Sequence, residues 1–147
     1  PFDNINFIQG DITKPIEEKA NSYDLVSSLH ALEHIGLGRY GDSLSINGFK
    51  DGLKSCYKLV KKEGYLLISI PTTDKKNNII EFNNQRVFSK YKVIKEVLDQ
   101  LCDFRLHTFC IIDHRRVPIS VNSLQEAQKL IETFEDKGVC IFLLKKI

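Results

Sequence analysis

Apolar residues recur along the chain in two distinct rhythms. One consists of short, nearly continuous runs, which predict strands: NINFIQ (4–9), YDLVSSL (23–29), YLLISIP (65–71), FRLHTFCIID (104–113) and VCIFLLKKI (139–147). YLLISIP is the strongest of them. YDLVSSL is apolar nearly throughout, as expected of a strand covered by helices on both faces. The other rhythm is a spacing of three and four, which predicts helices. In FKDGLKSCYKLV (49–60) it is carried by Phe49, Leu53, Cys56, Tyr57 and Val60. SKYKVIKEVLDQL (89–101) predicts a second helix with Ser89 as N-cap. SLQEAQKLIETFEDKG (123–138) predicts a third, with Ser123 and Glu126 as a capping box and Gly138 at the stop.

The remaining segments read as connections. NINFIQ stops at the turn residues Gly10-Asp11, and Pro15 with the charged EEK stretch reads as a short surface helix or loop. HALEHIG (30–36) is a short helix or helical turn with Gly36 as a C-cap. Residues 36–48, KKEG (61–64), TTDKKNN (72–78) and HRRVPISVN (114–122) are loops or turns.

Strands and helices thus alternate, which predicts one α/β domain over residues 1–147, a three-layer sandwich with a mostly parallel sheet. Ligands of such sheets bind outside the carboxyl ends of the strands. The residues there are Gly10-Asp11, Ser28-Leu29-His30 and Pro71-Thr72-Thr73.

Composition narrows the partners. The 147 residues are 42% apolar and 27% charged, ordinary for a globular chain. A domain of about 150 residues buries enough surface to fold without disulfide or metal. The net charge of +2 gives no nucleic-acid footprint. No apolar run approaches the roughly 20 residues of a membrane span, so no membrane partner is expected. Of the four cysteines, Cys110 and Cys140 lie in apolar runs and none forms a Cys-x-x-Cys pair. They read as buried, reduced thiols, which suits the cytoplasm. The chain begins at Pro1 and contains no methionine, which reads as a piece of something longer or a processed product.

Two catalytic patterns overlap at the turn. His30-Ala-Leu-Glu33-His34 has the inverted zinc-hydrolase spacing. Zinc chemistry needs a third protein ligand, and none of Glu81, Glu96 or Glu126 stands out. The segment also meets Gly36 within two turns, too soon for the long helix that motif needs. No metal is therefore expected, and His34 reads as a hydrogen-bonded, partly buried histidine. GLGRYG (36–41) fits Gly-x-Gly-x-x-Gly, but a dinucleotide site must follow a strand and open a helix. This one precedes DSLSING, a loop. The glycines instead permit an irregular path. Arg39 and Tyr40 are held out on it, either as a carboxylate- or phosphate-binding fork or as solvated surface.

FIQGDI, YDLVSSLHALEHI and LVKKEGYLLISIP together resemble the middle and later part of class I S-adenosylmethionine-dependent methyltransferases. More narrowly, SLHALEHIGLGRYGD followed by FNNQRVFS is similar to an uncharacterised, methyltransferase-like domain-of-unknown-function family. The resemblance implies a Rossmann-like methyltransferase fold lacking its first two strands, with VCIFLLKKI as the antiparallel C-terminal strand. It implies S-adenosylmethionine as cofactor, with Asp11 beside the adenine and Gly10 and Ile12 flanking it. Ser28, Leu29 and His30 would line the cofactor, and Glu33 and His34 would occupy the family's Leu-Glu-His turn. Tyr40, Arg39 and the 72–86 loop would face a small polar acceptor, a sugar among the candidates. His30 would be either the base that takes the acceptor's proton or an orienting residue. The family's glycine-rich loop and ribose-binding acid have no counterpart in these residues. A degenerate binding or scaffold module is therefore the rival expectation. Strand 4–9, without its usual neighbours, would pair with YDLVSS, associate into a homo-oligomer or stay unpaired.

Overall fold

A computed structural model of the chain describes residues 4–14 and 17–147. In chain order these form β1 (Tyr23–Leu29), α1 (Gly48–Leu59), β2 (Val60–Thr73), β3 (Ile79–Glu81), β4 (Gln85–Ser89), α2 (Val93–Leu98), β5 (Phe104–Ile112), β6 (Pro118–Val121), α3 (Leu124–Glu132) and β7 (Lys137–Lys146). Short 3-10 turns occupy Glu17–Lys19 and Leu32–His34. Pro15 lies outside the described residues.

The sheet is built around β2 and β7, which pair antiparallel from Tyr65 opposite Lys145 to Thr73 opposite Lys137. This register puts Leu66, Ile68 and Ile70 beside Leu144, Phe142 and Cys140 on one face, and all six are fully buried. β5 adds Phe109 and Ile111 to the same face. α1 covers it: Tyr57 packs on Phe104 and Phe49 on Phe88. The α1 residues Leu53 and Cys56, the α2 residues Val93 and Val97, and the α3 residues Ala127 and Ile131 join the same buried cluster.

The strand order is β3-β4-β2-β7-β5-β6, with β1 beside the first part of β2. β1 and β4 run parallel to β2, whereas β7, β6 and β3 run antiparallel to their partners. The mixed α/β fold agrees with expectation, but the hydrogen-bonded pairings are mixed rather than mostly parallel. The reason is that β7 inserts antiparallel between β2 and β5, and two short hairpin strands add further antiparallel pairs. The outer face of β1 also departs from expectation. Leu25 and Leu29 are 52% and 57% exposed, so the described residues supply no third layer over β1.

Local differences have local causes. NINFIQ is irregular and exposed, because a strand needs a hydrogen-bonded neighbour and these residues have none among those described. KKEG is not a free turn: β2 begins at Val60, and the extra residues form an irregularity between the Tyr23–Val60 and Leu25–Tyr65 pairs. Ser89 does not cap a helix. It ends β4, its N–H donating to Asn78 Oδ1, and α2 starts only at Val93. The capping box at α3 forms as expected, with Ser123 Oγ accepting from the Glu126 N–H and donating to its carboxylate. That helix ends at Glu132, and Gly138 sits inside β7. Cys140 and Cys56 are buried and Cys110 is half-buried. Burial pushes the Cys56 thiol up to about 11 and the Cys140 thiol up to about 12. Both stay protonated and unreactive at neutral pH.

Candidate functional site

At its carboxyl end β1 is fastened to β2. Leu29 pairs with Ser69, and the next N–H, of His30, donates to both the carbonyl (3.2 Å) and the hydroxyl (3.1 Å) of Ser69. His30 then takes a left-handed backbone conformation, φ +50°. The chain leaves the sheet sharply there and closes the Leu32–His34 turn.

The turn buries its middle. Leu32 and Glu33 are 2% and 1% exposed. Glu33 Oε1 lies 3.1 Å from His30 Nδ1 and 3.9 Å from His34 Nε2. Its second oxygen, Oε2, is buried without a hydrogen-bond partner. His34 Nδ1 is engaged by the backbone carbonyl of Asn84, in the turn between β3 and β4. The His34 ring meets Tyr40 edge-on at 6.0 Å, and the Arg39 guanidinium sits 5.6 Å above the Tyr40 ring.

This geometry does not suit zinc. The segment is a 3-10 turn rather than an α-helix, and its two histidines flank a carboxylate between them. Among the described residues no three His, Cys, Asp or Glu side chains converge as a metal site requires.

The glycine-rich loop has its own anion. Gly36, Gly38 and Gly41 all have φ between +74° and +80°, which lets successive N–H groups turn inward. Those groups face Asp42: Gly36 and Tyr40 donate at 2.6 and 3.2 Å, and Gly38 at 3.4 Å. A phosphate-binding loop would leave these donors for its ligand. Here the chain's own carboxylate takes them. Burial pushes the Asp42 carboxyl up, but the N–H groups of Tyr40, Gly36 and Gly38 outweigh it and hold it below its ordinary value of 3.8. The folded form therefore favours the carboxylate. Its stabilising contribution is complete above the ordinary value and is lost as pH falls through the depressed one. Amide protection of residues 36–42 should accordingly be unchanged above about pH 4 and weaken progressively as the pH is lowered further. Asp42→Asn should lower it at neutral pH, as hydrogen exchange would show.

Arg86, on β4, holds the turn and the loop together. Its guanidinium donates to the backbone carbonyls of Glu33 (3.4 Å), Ile35 and Ser45 (2.8 Å). Sequence reasoning missed this residue. Its signal is its place inside the FNNQRVFS segment, which carries the family resemblance without singling out the arginine.

The GDI segment reaches the same neighbourhood through α1. A side chain at Gly52 would meet Leu32 at 2.9 Å and Ile12 at 3.8 Å, so the turn and residue 12 share one patch of that helix. Gly10 and Asp11 are exposed. The Asp11 carboxylate accepts from the Thr13 hydroxyl (2.7 Å) and N–H (2.9 Å), which hold it below its ordinary value. Ser28 is half-buried and Leu29 exposed at the end of β1. The structure thus links His30, Glu33, His34, Tyr40 and Arg39 in a chain of contacts, and puts Ile12 near Leu32 of the same turn. A cleft of about 350 Å³ opens next to Arg86, between the start of α1 and the β3–β4 hairpin, lined by Phe49, Phe88, Ile80, Asn78 and Glu96. The larger cavity between α2 and α3 contains none of the expected site residues.

The mixed α/β sheet with its helices matches the Rossmann-like fold of solved methyltransferase structures. The chain belongs to the family described as "Caenorhabditis protein of unknown function, DUF268", whose model matches residues 3–142. Among solved structures, the (4+2)-cyclase SpnF matches with a TM-score of 0.62 at 9% identity, over 96% of this chain and 55% of that one. A putative methyltransferase from Bacillus halodurans matches at 0.53 and 13% identity, over 97% and 77%. A possible histamine N-methyltransferase from Thermotoga maritima, described as S-adenosylmethionine-dependent, matches at 0.51 and 16% identity, over 95% and 63%. The chain therefore spans a little over half of the SpnF chain. No curated protein matches. No helix among the described residues is long and apolar enough to cross a membrane.

Proposed function

We propose that this chain forms the cofactor-facing and acceptor-facing part of an S-adenosylmethionine-dependent methyltransferase. One observation carries the reading. Ile12 of the Gly10-Asp11-Ile12 segment and Leu32 of the turn that follows β1, two segments assigned to the cofactor by resemblance, meet on one patch of α1 around Gly52. Asp11 and Gly10 are open to a ligand, as are Leu29 and His30, while Ser28 is half-buried beneath them. Asp11 would face the adenine, and Ser28, Leu29, His30 and His34 would line the methionine part. The acceptor, a small polar molecule such as a sugar, would approach past His30, Arg39 and Tyr40. The catalytic contribution is positioning together with removal of the acceptor's proton. The buried thiols suit a reducing compartment such as the cytoplasm.

The open face of β1 favours a second reading, a binding or scaffold module, because Leu25 and Leu29 offer apolar surface and an unpaired strand edge to another chain or a second copy. Calorimetric titration with S-adenosylhomocysteine in EDTA-treated buffer separates the two. Saturable binding that weakens about tenfold or more in Asp11→Ala, the loss of one charge-assisted hydrogen bond, supports the enzyme. A folded chain that shows no binding, alone or within a longer polypeptide, supports the module.

A further inference from the structure

We propose that Glu33 is a positioning residue: it holds the His30 imidazole as the tautomer protonated on Nδ1, leaving Nε2 as the proton acceptor of the site. The catalytic consequence rests on the methyltransferase reading above; the tautomer itself does not.

Glu33 is 1% exposed, yet its carboxylate is placed 3.1 Å from His30 Nδ1. A buried carboxylate without a donor is costly, and the strongest hydrogen bonds it can receive come from charged or polarised N–H groups. His34 Nε2 is farther, at 3.9 Å, and the Arg86 guanidinium is spent on backbone carbonyls, including that of Glu33 itself. His30 is thus the nearest side-chain donor. Its backbone is anchored, the one N–H being shared between the Ser69 carbonyl and hydroxyl, so the Cα stays where the ring reaches Glu33. The opposite edge of the ring remains open, the side chain being 47% exposed. A carboxylate behind Nδ1–H and a free Nε2 in front is the arrangement that fixes a histidine general base in one tautomer and stabilises the imidazolium formed on proton uptake. In the transfer, the acceptor's lone pair forms the new bond to the methyl carbon and the carbon–sulfur pair stays on sulfur. The acceptor's proton passes to Nε2, and the resulting positive charge faces Glu33.

The test is a long-range proton–nitrogen correlation spectrum of the 15N-labelled chain at a pH where His30 is neutral. The chain has four histidines, so His30→Gln assigns the signal by its disappearance. The expected result is a pyrrole-like Nδ1 and a pyridine-like Nε2 at His30, about tenfold or more in favour of that tautomer. A folded Glu33→Met variant should lose the bias. A His30 that carries its proton on Nε2 in the wild-type chain overturns the proposal whether or not any variant folds. An unchanged tautomer in folded Glu33→Met also overturns it. A chain that binds S-adenosylhomocysteine yet carries Nε2–H defeats this inference alone. One that carries Nδ1–H and binds no S-adenosylhomocysteine, alone or within a longer polypeptide, defeats the methyltransferase reading and supports the tautomer assignment.

Discussion

Replacing Arg86 by methionine should destabilise the protein by about 3 kcal/mol, because it strands three backbone carbonyls at once. Those of Glu33, Ile35 and Ser45 all accept from this one guanidinium. Each partly buried acceptor left without a donor costs roughly 1–3 kcal/mol, and water reaching some of them holds the sum toward the low end. For a domain of about 150 residues this corresponds to a fall in Tm of roughly 6–12 °C. Lysine should recover only part of the loss, since an ammonium is a point donor without the planar fork that spans three acceptors. Thermal unfolding of the two variants measures this. The second consequence is local: residues 30–36 lose the tie to β4, so their amide resonances should shift more than those of β7. Equal stability of Arg86→Met and wild type would mean that the guanidinium does not hold the turn.

Gly48→Ala should be as damaging for a different reason. Gly48 opens α1 directly against the backbone of Ile35 and Gly36, and a Cβ there would overlap the Ile35 carbonyl group and the Gly36 Cα. The obstruction is main chain, which cannot step aside as a flexible side chain would. The expected cost is about 3 kcal/mol, at the upper end of what overpacking exacts. α1 would be displaced from the turn whose Leu32 it covers. Gly10→Ala makes the control, because nothing lies within 4 Å of a Cβ at that position. Its change in stability should stay within about 0.5 kcal/mol. Chemical denaturation of both variants gives the comparison directly.

The sequence disclosed those parts of the fold whose determinants are local. β2, β5 and β7 are apolar runs that bury alternate side chains in one sheet, β1 is a shorter run paired along β2 although its own side chains are exposed or half-buried, and the Ser123 cap of α3 is written in four consecutive residues. β3 and β6, of three and four residues, were unreadable. They exist because β4 and β5 offer them partners, not because of their own composition. NINFIQ shows the converse: six residues with strand character and no partner among those described stay irregular. Ser89 carries a helix-cap signal that the Asn78 side chain and the β2 edge override.

The candidate site is legible to a similar depth as far as position goes. His30, His34, Arg39 and Tyr40 stand in one contiguous motif, and they lie near one another in the structure. The irregular glycine path was also read correctly, because three glycines within six residues leave few other conformations. Arg86 and Ser69 were not visible, since their roles arise from pairing across 51 and 39 positions of chain. The role of Glu33 was obscured by the very motif that contains it. His-x-x-Glu-His draws attention to the histidines as ligands, whereas a 3-10 turn buries the carboxylate between them.

The central claim is that S-adenosylmethionine lies against residues 10–12 and the end of β1. The most direct measurement is an amide correlation spectrum of the 15N-labelled chain as S-adenosylhomocysteine is added. The account predicts saturable shifts at Gly10, Asp11, Ile12, Ser28, Leu29 and His30, with the α2–α3 cavity residues Ile94, Leu98, Leu124 and Ile131 undisturbed. Shifts confined to that cavity, or none in a well-folded chain both alone and within a longer polypeptide, would contradict it.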